Sequence, residues 1–170
     1  MIEHVIAALN DEQSLKNSEA LSLLTEILVE NDQPVESENA LHEVLSEYQS
    51  ETAYTGVASS IIEKMASVDS DSYLDYLTGL ESRGKEFIPF YDPRYPKSLY
   101  KISEPPLGLY IDGNPAVLDD CVAVVGTRQA NDHRIEFARR IAERLVKMNK
   151  TVVSGLANGI DAAAHETTLK

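Results

Sequence analysis

Two stretches decide the fold: Cys121-Val122-Ala123-Val124-Val125-Gly126-Thr127-Arg128 and Thr151-Val152-Val153-Ser154-Gly155-Leu156-Ala157-Asn158-Gly159-Ile160-Asp161. In each, an apolar run of strand length stops at a glycine turn and hands over to a helical pattern. Apolar character that is continuous rather than alternating predicts parallel strands buried on both faces. Between the two runs, Ile135, Ala138, Ile141, Ala142 and Leu145 recur at helical spacing, and Ala162, Ala163, Ala164 and His165 follow the second turn. The order is therefore strand, helix, strand, helix. A right-handed crossover puts both glycine turns at the carboxyl edge of the sheet, the usual ligand position in this architecture. Backbone N–H groups and helix N-termini gather there, which suits a phosphate-bearing ligand.

At that edge most residues have two readings. Arg128, directly after Gly126-Thr127, reads as a forked phosphate contact, the alternative being an exposed strand-end arginine. Thr127 and Ser154 offer hydroxyl groups to the same phosphate or simply cap their turns. Gly155 and Gly159 permit positive φ or close backbone approach, which serves a ligand or tight packing equally well. Asp161 is expected to brace the turn, because a carboxylate at a helix start would compete with phosphate if it faced the pocket. His165 reads as a second structural residue, a satisfied half-buried histidine, with a loop or ligand contact as the alternative. The spacing is not Gly-x-Gly-x-x-Gly, so the glycines alone do not specify a dinucleotide site.

Composition narrows the class. The chain has 170 residues, 43% of them hydrophobic, enough for one mid-sized domain or two small ones. No apolar run approaches the roughly 18 residues that span a bilayer. Met1-Ile2-Glu3-His4 lacks the basic start of a signal peptide, so a cytoplasmic protein without membrane association is expected. One cysteine excludes an internal disulfide framework and a multi-cysteine zinc site; Cys121 reads as a small buried hydrophobe. No catalytic cluster, metal spacing or cofactor motif stands out.

The net charge of −13 hides two electrostatic halves. Residues 1–80 carry 16 Asp and Glu against 2 Lys and Arg, whereas residues 81–170 carry 12 against 13. Nucleic acid is repelled by the first half and tolerated by the second. The acidic half reads as a solvated face, the alternative being a docking face for a basic partner. Its pattern is helical: Leu21, Leu24, Ile27 and Leu28 form one stripe, and Leu41, Val44, Leu45 and Tyr48 another, with Ser37 as N-cap. Asn31-Asp32-Gln33-Pro34 separates them. Val57, Ile61, Met65 and Val68 mark a third helix, and Tyr73, Leu74, Leu77 and Leu80 a fourth that Gly84 stops. His4 and His42 read as surface residues.

Phe87-Ile88-Pro89-Phe90 and Leu107-Gly108-Leu109-Tyr110-Ile111 read as short strands. The rigid turn Asp92-Pro93-Arg94-Tyr95-Pro96, a helical turn at Leu99–Ile102 and the break Pro105-Pro106 lie between them. Such strands suggest an extension along the edge of the larger sheet. The expected organisation is a small acidic all-helical module at 1–84, a lead-in with short edge strands at 85–120, and an α/β unit with a partial Rossmann-like parallel sheet at 121–170.

Taken together, Val124-Val125-Gly126-Thr127-Arg128 and Val153-Ser154-Gly155-Leu156-Ala157-Asn158-Gly159-Ile160-Asp161-Ala162-Ala163-Ala164-His165 resemble the Rossmann-like domain of the DNA-processing protein A family, also called DprA or Smf. Asp92-x-x-Tyr95-Pro96-x-x-Leu99-x-x-Ile102, Pro105-Pro106 and Leu109-Tyr110-x-x-Gly113 resemble that family's lead-in, so the resemblance covers roughly residues 85–170. It implies a non-enzymatic protein without cofactor that binds and protects single-stranded DNA and helps to load a RecA-family recombinase during recombination or DNA uptake. Homodimers are among the assemblies it implies. By position, Gly126-Thr127-Arg128, Ser154-Gly155 and Gly159 would contact or shape the site for DNA phosphates. His133 stands where the family often has tyrosine, Arg134 where it often has glycine, and Thr167-Thr168 where a Gly-Ala pair is usual. Family members also continue beyond the position of Lys170, so a fragment, a truncated reading frame or one half of a split protein is expected. Two other classes stay open: a nucleotide phosphoribohydrolase-like enzyme, whose Pro-Gly-Gly-x-Gly-Thr-x-x-Glu block this sequence does not contain, and an interaction protein that docks through its acidic helices.

Overall fold

Helix α1 (Glu3–Asp11) begins the chain in the computed structural model, which describes residues 2–11, 17–31, 34–50, 53–118 and 120–169. Val5, Ile6, Ala7, Ala8 and Leu9 are all buried. A helix apolar on every side at its centre belongs inside a core rather than on one. Around it lie α2 (Asn17–Thr25), which widens into a π turn at Glu26–Glu30, α3 (Glu38–Tyr48), α4 (Thr55–Ser67) and α5 (Ser70–Glu81). Ser37 caps α3 by accepting the Ala40 N–H at 3.2 Å, and Asp69 caps α5 by accepting the Ser72 N–H at 3.2 Å. Each cap satisfies a donor that the first turn leaves without a partner. Val68 sits at the C-cap of α4, just outside the helix. Asp32 and Gln33 of the break after α2 lie outside the described residues.

Strands β1 (Glu86–Pro89) and β2 (Gly108–Ile111) pair antiparallel, Phe87 opposite Tyr110 and Ile88 opposite Leu109. They pair with each other alone, as a two-stranded sheet, and do not extend the parallel sheet as expected. The reason is packing: Ile88, Phe90, Tyr95 and Leu107 are buried in the same cluster as Ile6, Leu9, Leu24, Leu41, Leu45 and Ile61. Burial of side chains this size contributes roughly 1.5–3 kcal/mol each. Two hydroxyl clasps close the proline-rich segment between the strands, Tyr95 donating to the Pro106 carbonyl at 2.6 Å and Tyr100 to that of Phe90. His4 is half-buried rather than a surface residue, because α1 is enclosed; His42 is exposed.

The chain divides into two compact units, Met1–Pro115 and Ala116–Lys170. In the second, β3 (Cys121–Ala123) and β4 (Thr151–Val153) pair in parallel, Val122 opposite Val152, with α6 (Asp132–Lys147) between them in sequence and α7 (Ile160–Thr168) after them. Asn131 caps α6 by accepting the Arg134 N–H at 3.1 Å. Its core is built from small residues, with Val124, Ala142 and Ala164 buried together. The strands are not buried on both faces as expected: Val153 is 42% exposed and Val125, just beyond β3, is 66% exposed. A sheet of two strands has too little area for helices to sandwich it fully. Among the described residues no helix is long and apolar enough to cross a membrane.

Candidate functional site

The carboxyl ends of β3 and β4 lead into the two glycine turns, and the Val124 N–H donating to Val153 O at 3.0 Å carries the strand ladder up to them. Asp161, the second residue of α7, lies between the turns and is 5% exposed. Its Oδ1 accepts the Gly126 N–H at 3.1 Å and its Oδ2 the Gly155 N–H at 3.1 Å. One carboxylate thereby ties together two loops 29 residues apart in sequence. Burial opposes its charge, but the N–H of Gly126, the Ser154 hydroxyl alongside, and the N–H groups of Gly155 and Ala157 outweigh burial and hold the carboxyl below the usual carboxylate range. The edge predicted to gather N–H groups does gather them, around an internal anion.

Backbone contact locks the turns further. Gly159 has φ +90°, and a Cβ there would lie 2.4 Å from the Thr127 carbonyl oxygen and 2.8 Å from that of Arg128. The Ile160 N–H donates to the Thr127 carbonyl at 3.3 Å, and the Ile160 side chain fills the space a Cβ on Gly126 would need, 2.7 Å away. Only glycine meets both the dihedral and the distance at 159. Of the two hydroxyls, Ser154 donates to the Val124 carbonyl at 2.7 Å and Thr127 accepts the Gln129 N–H at 3.2 Å. Thr127 stabilises its own turn, whereas Ser154 ties the end of β4 to that of β3. His165 is half-buried inside α7, where its carbonyl accepts the Thr168 hydroxyl at 3.0 Å.

Arg128 differs from all of these: it is exposed, and its side chain has no ion pair or hydrogen bond among the described residues. Arg134 at the start of α6 is likewise exposed and free of an ion pair among them, whereas Arg139 pairs with Glu166, Arg140 with Glu136 and Lys150 with Asp120. A groove of about 670 Å³ runs beside this edge, lined among others by Val125, Thr127, His133, Arg134, Phe137 and Ile141. Its walls are mostly apolar, with Arg134 as the one arginine in the lining. The neighbouring loop presents Leu156, 77% exposed at φ +56°, a conformation unusual for a side chain of that size.

The structure thus brings Gly126, Thr127, Arg128, Ser154, Gly155, Gly159 and Asp161 to one edge and leaves His165 along the helix behind it. What sequence reasoning missed is Ile160, the spacer between the turns; its only signal is an apolar residue between Gly159 and Asp161. Among the described residues no group of three or more His, Cys, Asp or Glu is placed to hold a metal ion. Chemically, the edge offers the guanidinium groups of Arg128 and Arg134, neither in an ion pair among the described residues.

Residues 86–170 match the family described as DNA recombination-mediator protein A. Protein Smf of Synechocystis sp. is 35% identical over 121 residues, 68% of this chain and 30% of the relative. DNA processing protein DprA of Bacillus subtilis is 28% identical over 96 residues, 55% of this chain and 32% of the relative. The fold is shared with the X-ray structure of DNA processing protein A from Streptococcus pneumoniae, at TM-score 0.68 and 22% identity over 99% of this chain and 54% of that one. The chain spans about a third of the length of the curated relatives it matches.

Proposed function

The chain belongs to the DNA recombination-mediator protein A family, and on that premise we propose that it serves DNA recombination or uptake by binding single-stranded DNA along the carboxyl edge of its second unit. The observation that carries this reading is Arg128, exposed and without a side-chain partner among the described residues, on a turn that Asp161 and Gly159 hold still. Asp161 occupies the N–H groups of Gly126 and Gly155, so the phosphate contact falls to the guanidinium of Arg128, with Arg134 as a second. A planar fork suits phosphate oxygens. Charge favours this unit over the other: residues 116–170 carry 8 Lys and Arg against 7 Asp and Glu, residues 1–115 carry 7 against 21. On the same reading the protein has no enzymatic step, protects the strand and hands it to a RecA-family recombinase.

Fluorescence anisotropy with a labelled oligothymidylate tests it. The 170-residue chain binds weakly, with an affinity that falls on a log scale by roughly 0.7 per phosphate neutralised as salt rises. Arg128→Ala lowers affinity about tenfold, the loss of one charge-assisted contact. Undiminished affinity in that variant overturns the assignment of the edge.

A further inference from the structure

Among the described residues, two that are not glycine hold a positive φ, Asn149 at +54° and Leu156 at +56°. Asparagine visits this left-handed region readily, but in leucine the Cβ crowds the following carbonyl oxygen. The loop itself explains the angle. The N–H groups of Gly155 and Ala157 both donate to the Asp161 carboxylate, and neighbouring N–H groups converge on one anion when the backbone between them alternates right- and left-handed. What the loop does not explain is the side chain. Glycine would meet the dihedral without strain, and glycine stands at 155 and 159 of the same loop. Leu156 is instead 77% exposed, so no burial within the unit offsets its strain. A single exposed leucine is ordinary; one held in a strained conformation is characteristic of ligand sites.

Its position narrows the ligand. Asp161 Oδ2 holds the Gly155 N–H one residue before Leu156, and Oδ1 holds the Gly126 N–H two residues before Arg128. A Cβ on Gly159 would lie 2.8 Å from the Arg128 carbonyl oxygen, so the two turns touch through their backbones. An exposed apolar side chain and an exposed guanidinium therefore stand on one braced edge. A single strand of DNA offers the matching pair at every nucleotide, an anionic phosphate and the apolar face of an unstacked base. Leucine is among the apolar side chains that DNA-binding proteins set against bases, and contact with a base face tolerates any sequence. Resting on the DNA reading above, we propose that Leu156 is the base-contacting residue of this edge, packing against a base next to the phosphate that Arg128 holds.

Anisotropy is measured with labelled oligothymidylate and with an abasic oligonucleotide of equal length, which keeps the phosphates and lacks the bases. The unaltered chain binds oligothymidylate about fivefold more tightly, the low end of what one base contact is worth. Leu156→Gly loses that difference by weakening on oligothymidylate alone, Leu156→Met keeps it, and Arg128→Ala weakens binding to both strands. Because glycine relieves the strain, amide protection in α7 is at least as high in Leu156→Gly as in the unaltered chain. Lower protection would give Leu156 a packing role and overturn the proposal. Equal weakening of Leu156→Gly on both strands, or no weakening on oligothymidylate, would overturn it too. So would a base-dependent loss in Phe137→Ala with none in Leu156→Gly, which would move the base into the groove that Phe137 lines. Equal binding of both strands by the unaltered chain overturns the base contact and leaves the phosphate reading standing, whereas binding of neither overturns both.

Discussion

The two units are held together by different means. In the first, large side chains interlock: Ile6, Leu9, Leu23, Leu24, Leu41, Leu45, Ile61 and Phe90 are fully buried. In the second, the buried side chains are mostly alanines, Ala138, Ala142, Ala163 and Ala164 with Val124, and the strand ends are fixed by backbone contacts and one carboxylate. Small residues let backbones approach closely, and close backbones can be aimed with hydrogen bonds. The comparison teaches that the edge with the two glycine turns sits where side-chain volume has been given up for polar precision.

The largest expected effect tests the first half of that contrast. Leu45→Ala destabilises the helical unit by about 2–5 kcal/mol, the range for a fully buried leucine. All 8 tyrosines lie between Tyr48 and Tyr110, so tyrosine emission in urea reads this unit alone, and a midpoint close to wild type would break the contrast. Gly159→Ala comes next. Alanine at positive φ and against the Thr127 carbonyl destabilises the second unit by more than about 1 kcal/mol, lowering amide protection in α6 and α7 while the tyrosine transition stays put.

Asp161 gives a smaller, pH-dependent effect. Its folded pKa lies below the ordinary 3.8, so its contribution is present above that value and is lost as pH falls through the depressed folded one. The Gly126 and Gly155 amides therefore lose exchange protection in acid. Asp161→Asn removes this pH step and weakens the unit at neutrality, since an amide presents a donor to one of two N–H groups that both need acceptors. Persistence of the acid step in the variant would assign it elsewhere. The smallest effect is at the surface: Arg140→Ala breaks an exposed pair with Glu136 and changes stability by less than about 0.5 kcal/mol in a urea melt. A larger change would show that α6 depends on its charged face as well as its alanines.

How far the fold was legible follows from the range of the forces. Helical stripes, the Ser37 cap and the strand–helix–strand–helix order are local patterns, and they appear where spacing placed them, except that Val68 falls just outside α4. Helix α1 was missed because Val5 to Leu9 are buried on every side and show no stripe. The pairing of β1 with β2 was misread because it joins segments about 20 residues apart across prolines, and nothing local says which sheet a short strand will enter. At the site, the glycine turns and the bracing carboxylate could be foreseen from residue types. That Asp161 takes N–H groups from both turns could not, since one of them is 35 residues away.

The Asp161 carboxylate also bears on how fast a ligand can be captured. Because an internal charge satisfies the turns in the unliganded chain, their ordering entropy is lost during folding and not at encounter. If Arg128 contacts phosphate as proposed, it would do so from turns already tied together, and association would be limited by diffusion and charge rather than by loop closure.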